Sequence, residues 1–181
     1  MIHRFVDSVV LTSPPDGIPY MASSSGPVYE IWRGGLGTTP VKLTAATPGT
    51  VPGDVILSPD LFEAAYSAVN SGELQVRVVQ MDDTNDELVV GHSVFNTNLT
   101  ASPSWNPAGT KLVYIMGGAS SGDPLTIRTI NRDGSGETTL WTSTTSYGDP
   151  VYVKWSPSGD YIVWSIQRVL VGSPGVVADG G

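Results

Sequence analysis

One short pattern, a proline turn followed by an aromatic residue, returns four times along this chain, and it constrains the fold more than any other feature. Val55-Ile56-Leu57-Ser58-Pro59-Asp60, Pro103-Ser104-Trp105-Asn106-Pro107-Ala108-Gly109 and Val153-Lys154-Trp155-Ser156-Pro157-Ser158-Gly159 align without gaps. Their prolines Pro59, Pro107 and Pro157 lie 48 and 50 positions apart, and Tyr66, Tyr114 and Trp164 each follow seven residues later. A poorer copy opens the chain at Val9 to Gly17, with Pro14 lying 45 positions before Pro59 and Tyr20 arriving six residues after it. Self-similarity at a fixed period means that one supersecondary unit is being made repeatedly.

Each copy reads as a set of strands. The apolar stretch before the proline is a short strand, and the Ser/Asn-Pro-x-Gly segment is a tight turn in which Pro presets φ and Gly accepts φ > 0. Lys111 to Met116, Tyr161 to Ile166 and the weaker Glu63 to Val69 are β-rich and close a hairpin on the first strand. A third strand follows at Val28 to Arg33, Leu74 to Met81 and Pro124 to Asn131, and a fourth at Val41 to Thr44, Glu87 to Val90 and Thr138 to Trp141. Four antiparallel strands every 45 to 50 residues is the spacing of β-propeller blades. A β-sandwich would not need the same turn at the same offset from an aromatic.

The expectation is an all-β, single-domain propeller over residues 1–181, with blades near 7–44, 54–90, 103–141 and 151–181. The last copy lacks a fourth strand, and Ile2 to Val6 lacks a blade. Residues 1–6 are therefore expected to close the last blade, which removes an exposed sheet edge. Two alternatives stay open: half of an eight-bladed ring shared by two chains, and part of a larger array.

Trp155-Ser156-Pro157-Ser158-Gly159, Trp105-Asn106-Pro107-Ala108-Gly109, Asn131-Arg132-Asp133-Gly134 and Leu43-Thr44 resemble the repeat of the Pro-Asp-repeat, TolB-like branch of WD40-like β-propellers. The resemblance covers nearly the whole chain. It implies the propeller fold and a platform that binds protein partners.

Composition narrows the function. The 21 Gly and 14 Pro suit many short connections, and 40% hydrophobic residues are enough for a core. A net charge of −8 with nine scattered basic residues argues against nucleic acid and anionic lipid. The absence of cysteine excludes disulfides and thiolate metal sites. Met1 to Thr12 carries Asp7 inside its best apolar run and does not read as a signal peptide. No stretch approaches the roughly 20 apolar residues of a membrane-spanning helix.

Catalysis needs a nucleophile beside a base, paired carboxylates or metal ligands. The two histidines, His3 and His92, fall on different parts of the repeat, His3 on the closing strand and His92 just after the second blade's outer strand. No nucleophile elbow, phosphate loop or zinc-binding helix motif occurs. Gly34-Gly35-Leu36-Gly37 joins two strands and opens no helix, and Asn98-Leu99-Thr100 is a sequon without a secretion signal. Asp82, Asp83, Asn85 and Asp86 offer hard oxygen ligands to calcium, but they lack the Gly and distant Glu of the helical calcium loop, and a solvated turn is the favoured reading.

No enzyme, cofactor or metal site is therefore expected. The recurring Trp105, Trp155, Tyr114 and Trp164 are expected in the core. Phe95, Tyr147, Asp149 and His92 lie on connections at one rim and are the candidate contacts for a ligand or partner. The leading reading is a non-catalytic protein-interaction or scaffolding module, with homo-oligomerisation possible. The alternatives are a structural component of a phage virion or surface assembly and a glycan- or small-ligand-binding, lectin-like propeller.

Overall fold

The structure, a computed structural model, describes residues 4–6, 9–11, 17–23, 28–35, 37–44, 47–48, 55–82, 85–94, 101–144 and 149–167. Every regular element in them is a strand. The first sheet holds β3 (Ile18–Ser23), β4 (Val28–Gly34), β5 (Val41–Lys42) and β6 (Thr47–Pro48). It follows a two-stranded hairpin of β1 (Arg4–Val6) and β2 (Val9–Leu11). The second sheet runs in order β7 (Ile56–Leu57), β8 (Glu63–Asn70), β9 (Glu73–Gln80) and β10 (Asp86–Ser93). The third repeats it as β11 (Ser104–Trp105), β12 (Lys111–Met116), β13 (Thr126–Asn131) and β14 (Thr138–Thr142). The fourth pairs β15 (Asp149–Trp155) with β16 (Ile162–Gln167). All pairings are antiparallel.

The repeated turn has one hydrogen-bond scheme. The side-chain oxygen of Ser58, Asn106 or Ser156 accepts the backbone N–H five residues on, from Glu63, Lys111 and Tyr161. The backbone N–H of the same residue donates to that partner's carbonyl at 2.8 to 2.9 Å. A short polar side chain before proline thus closes the hairpin from both sides. Two residues after the proline the chain turns left-handed, at Gly109 (φ +68) and Gly159 (φ +82). The second copy puts Leu61 there instead, at φ +65.

The sheets stack face to face through their alternating residues. Ala64, Tyr66 and Ala68 of β8 pack with Ile31 and Leu43 of the first sheet. On the other face, Ala65 and Val69 pack with Trp105, Leu112, Tyr114 and Met116 of the third. Val113 and Ile115 then turn to Val153 of the fourth, and the Trp141 and Trp164 rings meet at 6.2 Å. The second and third sheets are buried on both sides. A sandwich has one inner face per sheet, so this serial packing is the propeller arrangement.

The turns stack as well. A Cβ on Gly109 would lie 3.5 Å from Pro59 Cδ, and one on Gly159 would lie 3.3 Å from Pro107 Cδ. Each turn glycine therefore rests on the preceding turn's proline ring. The Trp105 indole N–H donates to the Ile56 carbonyl at 3.1 Å, bonding the third sheet to the second.

Two expectations are corrected. Arg4–Val6 pairs with Val9–Leu11, in register Arg4↔Leu11, while residues 168–181, which it was expected to join in the last blade, lie outside the described residues. The same pairing takes Val9–Leu11 away from the hairpin it was expected to form with β3. A three-residue strand needs one short partner, and the adjacent one is reached through a two-residue connection. The outer strand of the first sheet does not stop at Thr44 but resumes as β6 on the other half of β4. Between the halves, Leu43 is buried, its N–H donates to the Ile31 carbonyl, and the Thr44 hydroxyl accepts the Ile31 N–H.

Candidate functional site

The second and third sheets carry the same polar cluster, built on the recurring tyrosine. Tyr66 lies opposite Arg77 across β8 and β9, and Tyr114 lies opposite Arg128 across β12 and β13. At the entrance to the outer strand stands an acid, Asp86 in one sheet and Glu137 in the other. The Tyr66 hydroxyl donates to Asp86 at 2.9 Å, and Arg77 Nε lies 3.2 Å from both the hydroxyl and the carboxylate. The Tyr114 hydroxyl donates to Glu137 Oε1, which Arg128 Nη1 reaches at 3.1 Å.

Burial, then the neighbouring carboxylate, pushes both phenols above their ordinary range. Burial alone would lower the Arg77 guanidinium, but Asp86 and Tyr66 outweigh it and raise it. Burial likewise pushes the Glu137 carboxyl up, yet the hydrogen bonds from Tyr114, His92 and Arg128 hold it below the ordinary range. Phenols kept protonated and a carboxyl kept ionised make a structural clasp, not a proton-transfer pair.

His92 joins that clasp. It sits within β10, opposite Leu74, and not beyond the outer strand as expected. Gly91 hid this continuation, since glycine is poor in strands. A Cβ there would meet Glu73 Oε2 at 3.2 Å and Gln75 Cγ at 3.3 Å. His92 Nε2 lies 2.9 Å from Glu137 Oε1, so the side chain ties the second sheet to the third.

A second tie runs through Arg132, in the turn after β13. It grips the nearly buried Glu63 with two nitrogens, at 3.0 and 2.8 Å, and reaches Glu87 at 2.8 Å. Burial disfavours that guanidinium, but its bonds to Glu63 and Glu87 prevail and raise it. Gly134 in the same turn, at φ +83, is backed against Val89, whose carbonyl oxygen would lie 2.9 Å from a Cβ. Sequence reasoning missed these ties and the clasps. For the clasps the signal was present in the spacing: Arg77 and Arg128 stand 51 residues apart, as do Asp86 and Glu137.

Of the candidate contact residues, Phe95 and Tyr147 lie outside the described residues, as does His3. Asp149 is exposed at the start of β15, opposite Gln167. His92 meets Glu137 and Arg128 and belongs to the framework between sheets. In the acidic turn, Asp83 is outside the described residues, Asp86 is engaged by Tyr66 and Arg77, and the Asn85 amide donates to Glu87. Among the described residues no three His, Cys, Asp or Glu side chains converge on a metal-sized site.

What differs between the sheets is one rim. β8 and β9 stay paired out to Asn70↔Glu73 and close through Ser71-Gly72. β12 and β13 part at Met116↔Thr126, leaving residues 117–125 as a loop. That loop is mostly exposed, and Asp123 Oδ2 shapes it by accepting the Ser120 N–H at 2.8 Å.

No family model matches the sequence, and no curated protein is similar to it. Solved structures are similar in fold. TolB from Acinetobacter baumannii superposes with a TM-score of 0.56 at 16% identity, over 78% of this chain and 32% of its own. A nidogen–laminin complex gives 0.57 at 17%, over 77% of this chain and 52% of that one. An oligogalacturonate lyase in complex with manganese gives 0.57 at 16%, over 78% and 36%. The chain thus spans about half or less of each of those structures. At such identities the likeness is one of architecture, and it agrees with the stacked sheets and repeated proline turns: this chain has the β-propeller fold.

Proposed function

We propose that the protein is a non-catalytic interaction module in which stacked sheets hold one rim of loops rigidly against a protein partner. The observation that carries this reading is the contrast within the repeat. Sheets two and three repeat the Pro turn, the buried tyrosine and its Arg–acid clasp. At the same topological position, however, one has a two-residue turn and the other an exposed loop over 117–125. Invariant framework with variable loops is how a rigid scaffold carries a recognition surface.

The ionisable groups described above support the same reading, because they are spent on tying strands within a sheet and sheets to each other. Proteins of this fold serve both purposes: similar structures include a nidogen–laminin complex and an oligogalacturonate lyase. On this chain the binding role is favoured by the loop rim, where Asp149 also lies, with Phe95 and Tyr147 as further proposed contacts.

The test is a loop exchange. Residues 117–125 are replaced by a Ser-Gly turn, and capture from the native source is compared with the parent chain. Loss of a captured protein with an unchanged unfolding midpoint supports the proposal. Undiminished capture, or turnover of a substrate by the parent chain, contradicts it.

A further inference from the structure

Among the described residues, the serial packing of sheets leaves one exposed face at each end of the stack. Inside the stack, Ala65 and Val113, which face the following sheet, are 0% exposed, and Tyr66 and Tyr114, which face the preceding one, are also buried, while Trp164, at the same position in the fourth sheet and against Trp141 of the third, is 38% exposed. Val163 of the fourth sheet occupies the position of Ala65 and Val113, as the registers Ile56↔Ala65, Ser104↔Val113 and Lys154↔Val163 show. It is 63% exposed, with Tyr152 exposed on the same face. In the first sheet, Tyr20 lies opposite Trp32 as Tyr66 lies opposite Arg77, and Ile18 shares its face. Ile18 is 65% exposed and Tyr20 is 37% exposed.

These two surfaces are the counterparts of those joined at the second-to-third junction, where Tyr114 packs with Ala65 and Val69 of the preceding sheet. Among the described residues neither covers the other. We infer that the open face of the first sheet docks on the open face of the fourth sheet of a second copy, and the reverse, so that two chains share one ring of eight sheets. The symmetry is that of a two-fold dimer, in which residue i meets j and j meets i. Two copies bring the described sheets to eight, within the range of about four to eight blades with which propellers commonly close. Large apolar side chains left on a sheet face are the usual mark of an interface.

The test uses the full chain. Sedimentation equilibrium is expected to give twice the chain mass. Val163→Glu is expected to weaken self-association about a hundred-fold, as for a charge buried without a partner. Because a charged variant can fail to fold, milder ones complete the test. The chain has no cysteine, so Tyr20→Cys and Val163→Cys chains can be mixed and treated with a short bis-maleimide. A cross-linked dimer from the mixture, absent from either variant alone, supports the shared ring. A full chain of single mass overturns it, as does a dimer that survives Val163→Glu. A cross-link that forms only within a chain carrying both substitutions overturns it too, and so does a mixture giving no product.

Discussion

Glu137 shows how single residues hold the stack. Its carboxylate takes hydrogen bonds from Tyr114 and Arg128 of its own sheet and meets His92 of the preceding one. Its carboxyl is held below the ordinary range in the folded chain, so the unfolded chain binds that proton more readily. The stability gained is complete above about pH 5 and is lost as the pH falls through the depressed folded value. Glu137→Gln is therefore expected to cost about 1–2 kcal/mol at neutral pH, and the gap to the parent should narrow below about pH 4. Urea unfolding at a series of pH values measures it, and a gap equally wide at pH 7 and pH 3 contradicts the assignment. Asp133 is also depressed, by hydrogen bonds from Ser135, but it is fully exposed and ties no sheets together.

The element that defines this chain is the proline hairpin. Its capping Ser or Asn and its left-handed residue recur in the last three copies, and its stacking on the preceding proline in the last two. Leu61 is the exception: a leucine at φ +65 where the other copies have glycine, and it is about half exposed. A β-carbon in that region costs about 1–2 kcal/mol, part of which glycine gives back as chain entropy. Leu61→Gly is thus expected to stabilise the protein by about 0.5–1 kcal/mol, seen as a higher urea midpoint at unchanged slope. A lower midpoint would mean that the leucine packs on something.

The same elements show what could be read from sequence and what could not. Lys111–Met116 was legible to the residue, because an apolar run centred on Val113, Tyr114 and Ile115 sits between a proline turn and a glycine-rich loop. Thr138 to Trp141 was legible to within one residue. The continuation of β10 through Gly91 and His92 was not, since a glycine in a strand reads as its end unless the crowding around it is known. The split of β5 and β6 depends on Leu43 turning inward, which local pattern cannot show. The Tyr–Arg–acid clasps needed the cross-strand register before their 51-residue spacing meant anything. Pairing of β1 with β2 escaped because the argument for closing the ring outweighed the nearer partner.

At the scale of the molecule, no sheet is complete alone. Each inner one is covered by the sheet before and the sheet after, as in repeat arrays where stability lies in neighbour contacts. The polar ties His92–Glu137 and Arg132–Glu63 cross the same junction as the largest apolar cluster. That junction also holds the Trp105 indole bond to Ile56 O at 3.1 Å, spanning 49 residues of sequence. Its NMR signature tests the stacking most directly. Face-to-face sheets predict a slowly exchanging Trp105 indole proton with cross-relaxation to the Ile56 and Leu57 α-protons. An indole proton that exchanges freely with water and shows no contact to Ile56 or Leu57 would contradict the architecture.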